Sequence, residues 1–252
     1  MEIIIRKYGK EYQADLSKPI DISIPLHPRK NQVNCFYAPE LFVEPVIAGD
    51  FIGDTRKGGP VNFMNVHLNP HGNGTHTECV GHISKKRISL NKNLKIFHFI
   101  AKLHTVSLKI LSNGDQVISK EALISAFKSK EKFEALIIRT IPNDPTKLKK
   151  RYSGKNPPYF EKQAMNFLVK KGIQHLLIDL PSVDREIDGG KVQNHKIFWG
   201  YPQTDQSNKT ITELVYINNK IKDDKYLLNI QITSLELDAS PSKPVLYSIK
   251  EI

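Results

Sequence analysis

The sequence predicts a mixed α/β fold with a β-rich first half. Three observations carry that prediction. Short runs of β-branched and apolar residues dominate the early chain. Two continuous apolar runs, Ala135–Thr140 (ALIIRT) and His175–Leu180 (HLLIDL), read as buried strands. Between them, Phe160–Lys171 places Phe160, Ala164, Phe167 and Leu168 on one helical face, and Gly172 stands where a helix C-cap belongs. A strand–helix–strand unit of this kind implies a right-handed crossover and a parallel pair.

The remaining elements follow from local pattern. Glu2–Arg6, Ile20–Ile24 (stopped by Pro25) and Phe63–Leu68 alternate as strands do. Ile96–Leu111 is apolar and long enough for two more. Lys120–Phe127 carries Leu123, Ile124 and Phe127 at helical spacing, with Ser119 as the N-cap. Toward the end, Ile211–Asn218 reads as helix-like, and Leu227–Ile232 and Val245–Ile249 as strands. Pro and Gly are scattered, and no repeat or linker marks a boundary, so residues 1–252 are expected to form a single domain.

At 252 residues the chain can bury a substantial core without staples. Cys35 and Cys79 form neither a disulfide framework nor a CxxC pair, which points to a reducing compartment. The N-terminal stretch MEIIIRKYGK meets charges too early for a signal peptide, and no apolar run approaches membrane-spanning length. A cytoplasmic protein without a membrane partner is expected. The net charge of +11 comes mostly from lysines in short groups such as Lys85-Lys86-Arg87. No RNP, zinc-finger or helix-turn-helix signature accompanies it, so a solvated basic surface is expected and no nucleic-acid partner.

The densest chemistry lies in Asn69–Ile83, NPHGNGTHTECVGHI. Three readings compete for it. Cys79 and His82 could pair as nucleophile and base, although cysteine hydrolases share no local spacing for this. The histidines could be satisfied within a polar loop. Or His76, Glu78 and His82, spaced by even numbers and therefore on one face of an extended strand, could hold a metal. His71 is an odd number away and would face the other side. Imidazole and carboxylate suit zinc, manganese or iron(II), with further ligands drawn from distant segments. His195 (NHKIFWG) and Glu213 (TITELVYI) are candidates, but spacing alone does not select them over His98, His104 or His175.

The pattern GTHTECVGH resembles the core of the metal-dependent cyclase family, which includes bacterial kynurenine formamidases and isatin hydrolases and carries H-x-G-T-H-x-D-x-P-x-H. The likeness extends along the chain. DLSKPIDISIP (Asp15–Pro25) is similar to the family's opening D-L-[ST]-x-P, ALIIRT to its central strand, and IDLPSVD (Ile178–Asp184) to its D-x-x-S-x-D strand end. NHKIFWG and TITEL look like its second pair of ligand segments, and LDASPSKPV, from Leu237, is similar to the closing D-G-S-P-x-R strand.

What the resemblance implies can be written position by position. The fold is a single swivelling β/β/α cyclase-like domain with a mixed sheet, commonly assembled as a dimer or tetramer. His76 falls on a metal-ligand histidine, Glu78 on an aspartate that bridges two metals, and His82 on the catalytic acid–base. His195 and Glu213 complete the second metal position, so two divalent cations per chain, zinc or manganese, are expected. The chain also departs from the pattern. The first motif histidine falls on Gly72, with His71 one place earlier, and a bulge through Gly72-Asn73-Gly74 would turn His71 back to the site. Glu78 is longer than aspartate by one methylene, and His27-Pro28 stands where formamidases place an aromatic Trp-Pro step for substrate. The interval from His195 to Glu213 is long, implying an inserted loop over the site. The implied activity on a small-molecule substrate is hydrolysis of an amide-type carbon–nitrogen bond, as in the arylformamidase step of tryptophan catabolism through kynurenine. Lactone or lactam opening, or a binding protein that kept the fold, are the alternatives.

Overall fold

The computed structural model describes residues 1–28, 31–127, 132–203 and 208–252. An antiparallel hairpin of Glu2–Lys7 (β1) and Lys10–Asp15 (β2) opens the chain. A one-turn helix, Pro70–Asn73 (α1), leads into the short strand His76–Glu78 (β3). Strand His98–Ser107 (β4), helix Lys120–Ile124 (α2), strand Ala135–Ile141 (β5), helix Lys162–Lys170 (α3) and strand His175–Ile178 (β6) follow. Helix Gln193–Trp199 (α4) and strands Thr210–Glu213 (β7), Lys225–Ile232 (β8) and Ala239–Glu251 (β9) complete the frame.

Seven strands close into a mixed barrel in the order β9–β8–β4–β5–β6–β7–β3, with β3 pairing back onto β9. Strands β4 to β7 run parallel, and every other join is antiparallel. Closure removes the sheet edges that would otherwise seek a partner. Strand β9 serves four neighbours, one of them the two-residue strand Ile20–Asp21, which pairs with Val245 and Leu246. Ala239–Pro241 pair with β3, Ser242–Ser248 with β8, and Ile249–Glu251 with β2.

Side-chain alternation assigns each face. Leu136, Ile138, Leu176, Ile178 and Ile211 meet Ala164, Met165 and Leu168 of α3 and Phe198 and Trp199 of α4 on the outside. Ala135, Ile137, Leu177, Leu103 and Leu228 turn the other way and fill the barrel. Helix α3 has only nine residues, too few to be stable alone, so burial holds it in place. Each fully buried side chain of Leu or Met size is worth about 1.5–3 kcal/mol.

The parallel β5–α3–β6 unit and the Ser119 cap, whose Oγ accepts the Ala122 N–H at 3.3 Å, agree with the sequence reading. Three elements differ. Ile211–Asn218 is not helical. Thr210–Glu213 is a strand because Thr210, Ile211 and Thr212 pair in parallel with His175, Leu176 and Leu177. Phe160 lies in a two-residue strand, Tyr159–Phe160, and the helix starts at Lys162. The strand expected over Ile20–Ile24 is only Ile20–Asp21, since Ser23 turns back to hydrogen-bond Asp21. Among the described residues, no helix is long and apolar enough to cross a membrane.

His175, at the start of β6, is a core histidine. Its ring stacks on Phe99 at 3.9 Å, and Nδ1 lies 2.9 Å from Thr210 Oγ1. Burial, aided by the Lys7 charge, pushes its pKa down from 6.5 to about 3. Below the ordinary value the unfolded chain takes up a proton that the folded imidazole refuses. This destabilisation is absent above pH 6.5 and grows as pH falls toward 3. Thermal or urea unfolding between pH 6 and 4 is expected to show a stability loss in the wild type that exceeds that of His175→Asn by about 1.4 kcal/mol per pH unit.

Candidate metal centre

The centre is built where the barrel closes. Strand β3 is held from both sides, with Glu78 opposite Ile211 and Ala239 and His76 opposite Glu213 and Pro241. The period of two sends His76 and Glu78 to the helix-bearing face. Thr77 points the other way, where its Oγ1 meets Thr212 Oγ1 at 2.8 Å and Ser242 Oγ at 2.9 Å. Direct cross-strand pairing brings His76 Nε2 to 3.3 Å from Glu213 Oε2. Immediately after Glu213, Leu214 adopts φ 55, a conformation costly for a branched side chain by about 1–3 kcal/mol. The Thr75 hydroxyl holds that kink by donating to the Leu214 carbonyl at 2.5 Å.

His71 reaches the same point by a different route from the expected bulge. It sits in α1, whose first turn is capped by Asn69 Oδ1 accepting the Gly72 N–H at 3.0 Å, while Asn73 Oδ1 accepts the Asn69 N–H at 2.7 Å. A helical turn rotates side chains by about 100° per residue, so the odd spacing from His76 no longer sends His71 to the far side. Position 72 admits no side chain, because a Cβ there would lie 2.1 Å from Ala38 Cβ. A histidine at 72 is therefore excluded in this chain, and His71 stands in the cluster instead. His82 also arrives by helical geometry, from the 3-10 turn Val80–His82, not from an extended strand.

His195 comes from α4. Asp184 caps that helix by accepting the Asn194 N–H at 2.7 Å and the His195 N–H at 3.2 Å. The same carboxylate lies 2.7 Å from His195 Nδ1, which fixes the ring and turns Nε2 to within 3.1 Å of Glu78 Oε1. Glu213 Oε1 in turn accepts the Val183 N–H at 3.2 Å.

Each of three imidazoles thus has one nitrogen held by the protein and the other turned inward. His76 Nδ1 meets the Gly74 carbonyl at 2.9 Å, His195 Nδ1 meets Asp184, and His71 Nε2 meets Asp238 Oδ2 at 3.0 Å. The inward atoms His76 Nε2 and Glu78 Oε2 are buried without a hydrogen-bond partner, although His71 Nδ1 lies 3.2 Å from that oxygen. Misdirected contacts of this kind leave a buried acceptor unsatisfied, at a cost of about 1–3 kcal/mol or more for a charged group. His71, His76 and Glu78 bring their ligand atoms close enough to share one ion, and so do Glu78, His82 and His195. The donor set therefore fits a divalent cation, and the outer carboxylates are the partners that orient ligating histidines.

The electrostatics agree. Burial opposes charge on His71 and His195, yet Asp238 and Glu78 around the first, and Asp184 and Glu78 around the second, hold both up at about 10. Burial raises the Glu78 carboxyl, but the His82 charge and hydrogen bonds from His195 and His71 take it well below its ordinary value. Protons balance these carboxylates where a metal otherwise would.

The sequence-selected His71, His76, Glu78, His82, His195 and Glu213 are all brought together, and Asp184 and Asp238 join them. The signal for those two was available, since both lie in segments that resemble the family's strand ends. His98, His104 and His175 stay away. So does His27. It is exposed and lines a separate cleft with Gln32 and Lys149, because Gln32 Oε1 accepts its backbone N–H at 3.0 Å. The expected substrate role of His27 is not supported at this site. The expected insertion between His195 and Glu213 falls partly on residues 204–207, outside the described residues. The cluster opens into a cavity of about 480 Å³. Phe36 and Tyr37 line it, both with positive φ (56 and 53), beside Ser182 and Arg185.

Residues 14–185 match the Cyclase family model ("Putative cyclase"). The chain belongs to this family. Its match ends at Arg185, so His195, Glu213 and Asp238 enter the centre through the fold alone. Solved structures share that fold. "Isatin hydrolase A (IHA) from Labrenzia aggregata" superimposes with a TM-score of 0.65 at 13% identity, covering 92% of this chain and 94% of its own. A "predicted metal-dependent hydrolase from Bacillus stearothermophilus" gives 0.62 at 17% identity, covering 91% and 98%. A "novel cyclase" gives 0.62 at 15% identity, covering 92% and 89%. A search of curated proteins gives no match.

Glu78 belongs to two of the three candidate ligand groups and is approached by nitrogens of His71, His82 and His195, so its loss should strongly reduce cation uptake. Elemental analysis after incubation with Zn²⁺ or Mn²⁺ and desalting is expected to find metal in the wild type and little or none in Glu78→Ala. Equal metal in the two proteins would remove Glu78 from the centre.

Proposed function

We propose that this protein is a metal-dependent hydrolase that cleaves an amide-type carbon–nitrogen bond, arylformamidase-like in its chemistry, with lactam or lactone opening within reach of the same site. The observation that carries the reading is the convergence of five potential ligands from four separate segments, with two inward atoms, His76 Nε2 and Glu78 Oε2, buried without a hydrogen-bond partner. His71, His76, Glu78, His195 and Glu213 would hold divalent cations, two per chain, with zinc and manganese both suited to the donors. A metal bound there supplies a Lewis acid and brings the pKa of water to about 7.

Amides resist water because resonance weakens the carbonyl as an electrophile and the amine is a poor leaving group. The chain's own residues address the second difficulty. His82 Nδ1 lies 3.4 Å from Asp238 Oδ2 and 3.7 Å from Glu78 Oε2, and Nε2 has no protein partner among the described residues. That nitrogen can accept the proton of the attacking water and return it to the departing amine. Phe36 and Tyr37 offer aromatic faces to an aryl substrate, and loop–cluster contacts hold them there. Tyr37 N–H donates to Ser153 Oγ at 2.8 Å, and Cys35 N–H to the Gly72 carbonyl at 3.0 Å. The isatin hydrolases among the fold relatives support a lactam within the range. Assembly as a homo-oligomer belongs to the same proposal, supported by the exposed apolar side chains Phe42, Ile47, Val61, Phe63 and Val66.

Two measurements test this. Metal-reconstituted protein screened against N-formyl anilines, isatin-like lactams and small lactones is expected to hydrolyse at least one class, and inactivity on all three would reject the hydrolase. His82→Ala is expected to keep its metal while losing about 10²–10⁴-fold in kcat, the usual worth of a positioned acid–base.

A further inference from the structure

Next to the metal centre stands a cation with a free hand. Arg185 lines the central cavity and also a second hollow of about 500 Å³, so it belongs to the wall between them. Its guanidinium is locked by a fork onto Asp115, with Nε at 3.0 Å from Oδ2 and Nη2 at 3.2 Å from Oδ1. Asp115 is itself fixed. Its side chain is 3% exposed and also accepts from Asn156 Nδ2 at 2.7 Å and Tyr159 Oη at 2.8 Å. Those bonds hold its carboxyl low, at about 2, so it stays charged and holds the guanidinium plane steady. Nη1 of Arg185 has no protein partner among the described residues, and the side chain is 43% exposed.

The carboxylates around it are either engaged or turned away from solvent. Asp184 serves His195 and the α4 backbone. Asp188 accepts the N–H groups of Gly190, Lys191 and Val192. Glu186 accepts the Gly154 N–H with one oxygen, and its other oxygen, although without a hydrogen-bond partner, is buried from solvent. A molecule entering the cavity therefore meets an accessible, preorganised donor cation and no equally accessible free anion on that loop. A planar guanidinium with one edge held and another open is suited to a carboxylate.

We infer that Arg185 is a specificity-determining residue that anchors an anionic group, a carboxylate, on the substrate. This rests on the hydrolase reading and narrows it to acyl compounds bearing a carboxylate away from the scissile bond. Anchoring a remote group places the carbonyl against the centre without altering the chemistry.

The test uses the full-length, metal-loaded chain and an isosteric pair, 4-formamidobenzoate and 4-formamidobenzamide. Binding is measured by titration calorimetry and turnover by kcat/KM. The wild type is expected to favour the carboxylate by about tenfold or more, mainly through Kd and KM. Arg185→Gln is expected to bring that ratio to about one, and Arg185→Lys, which keeps the charge and loses the fork, to leave a partial preference. Should Arg185→Gln fail to fold, the Lys variant carries the comparison, and metal content reports an intact centre. A wild-type ratio near one, a ratio untouched by Arg185→Gln, or no binding of either compound would overturn the inference. Carboxylate-selective binding that Arg185→Gln abolishes, with no hydrolysis of either compound, would reject the arylformamidase-like activity and leave the anchor standing.

Discussion

A carboxylate with one oxygen unsatisfied sits at the point where the barrel closes, and the rest of the centre is arranged around it. Glu78 is fully buried and hydrogen-bonded in register to strands on both sides, so the chain cannot move it without opening the barrel. Exposing it would release β3 from β7 and β9 together. Keeping it buried demands opposite charge nearby, and His71, His82 and His195 all turn nitrogens toward it. The centre is therefore a consequence of closure as much as of ligand choice. Any sequence that closes this barrel with an acid at position 78 must place cationic or metal-binding groups on its outer face.

Much of the frame was legible in the sequence because it rests on local patterns. ALIIRT and HLLIDL are apolar on both faces, as buried parallel strands must be, and the helix between them has a period that nothing else explains. The misreadings have a common physical origin. Ile211–Asn218 carries apolar residues at spacings that either period can accommodate, and only pairing with β6 chooses the strand. The even-spacing argument for His76 and Glu78 held because those two residues are in a strand. It failed for His71 and His82, which lie in single helical turns too short to show any periodicity. His195 and Glu213 were not separable from His98, His104 or His175 by pattern. Their selection required either a family likeness or the fold, since cross-strand register and a capping carboxylate are tertiary facts.

Local strain and close approach concentrate at the same place. Gly72 is needed because Ala38 lies against it, and that contact moves the histidine of this segment to position 71. Phe36 and Tyr37, on the neighbouring loop, both hold positive φ, and Leu214 does so directly after Glu213. None of these conformations lowers the energy of the isolated segment. Each is held by a specific bond from elsewhere: Cys35 to Gly72, Tyr37 to Ser153, Thr75 to Leu214. Tyr8, Asn31 and Asn156 hold positive φ elsewhere, but the strained residues beside the centre are each over-determined by their surroundings, as strain at a site is.

The charge distribution completes the picture. The chain carries a net +11, yet Glu78, Glu213, Asp184 and Asp238 gather within reach of one another's histidines at the centre. A cluster of carboxylates in a chain of net positive charge makes the local field at the centre attractive to cations. His71, His76, Glu78, His195 and Glu213 would hold a divalent cation here in place of the protons that the surrounding carboxylates favour on His71 and His195. On the wall of the same cavity, farther from Glu78, stands the Arg185 guanidinium. The carboxylate cluster and the guanidinium thus sit at different places in the cavity, and neither neutralises the other, because Arg185 is paired to Asp115 and the cluster to its histidines.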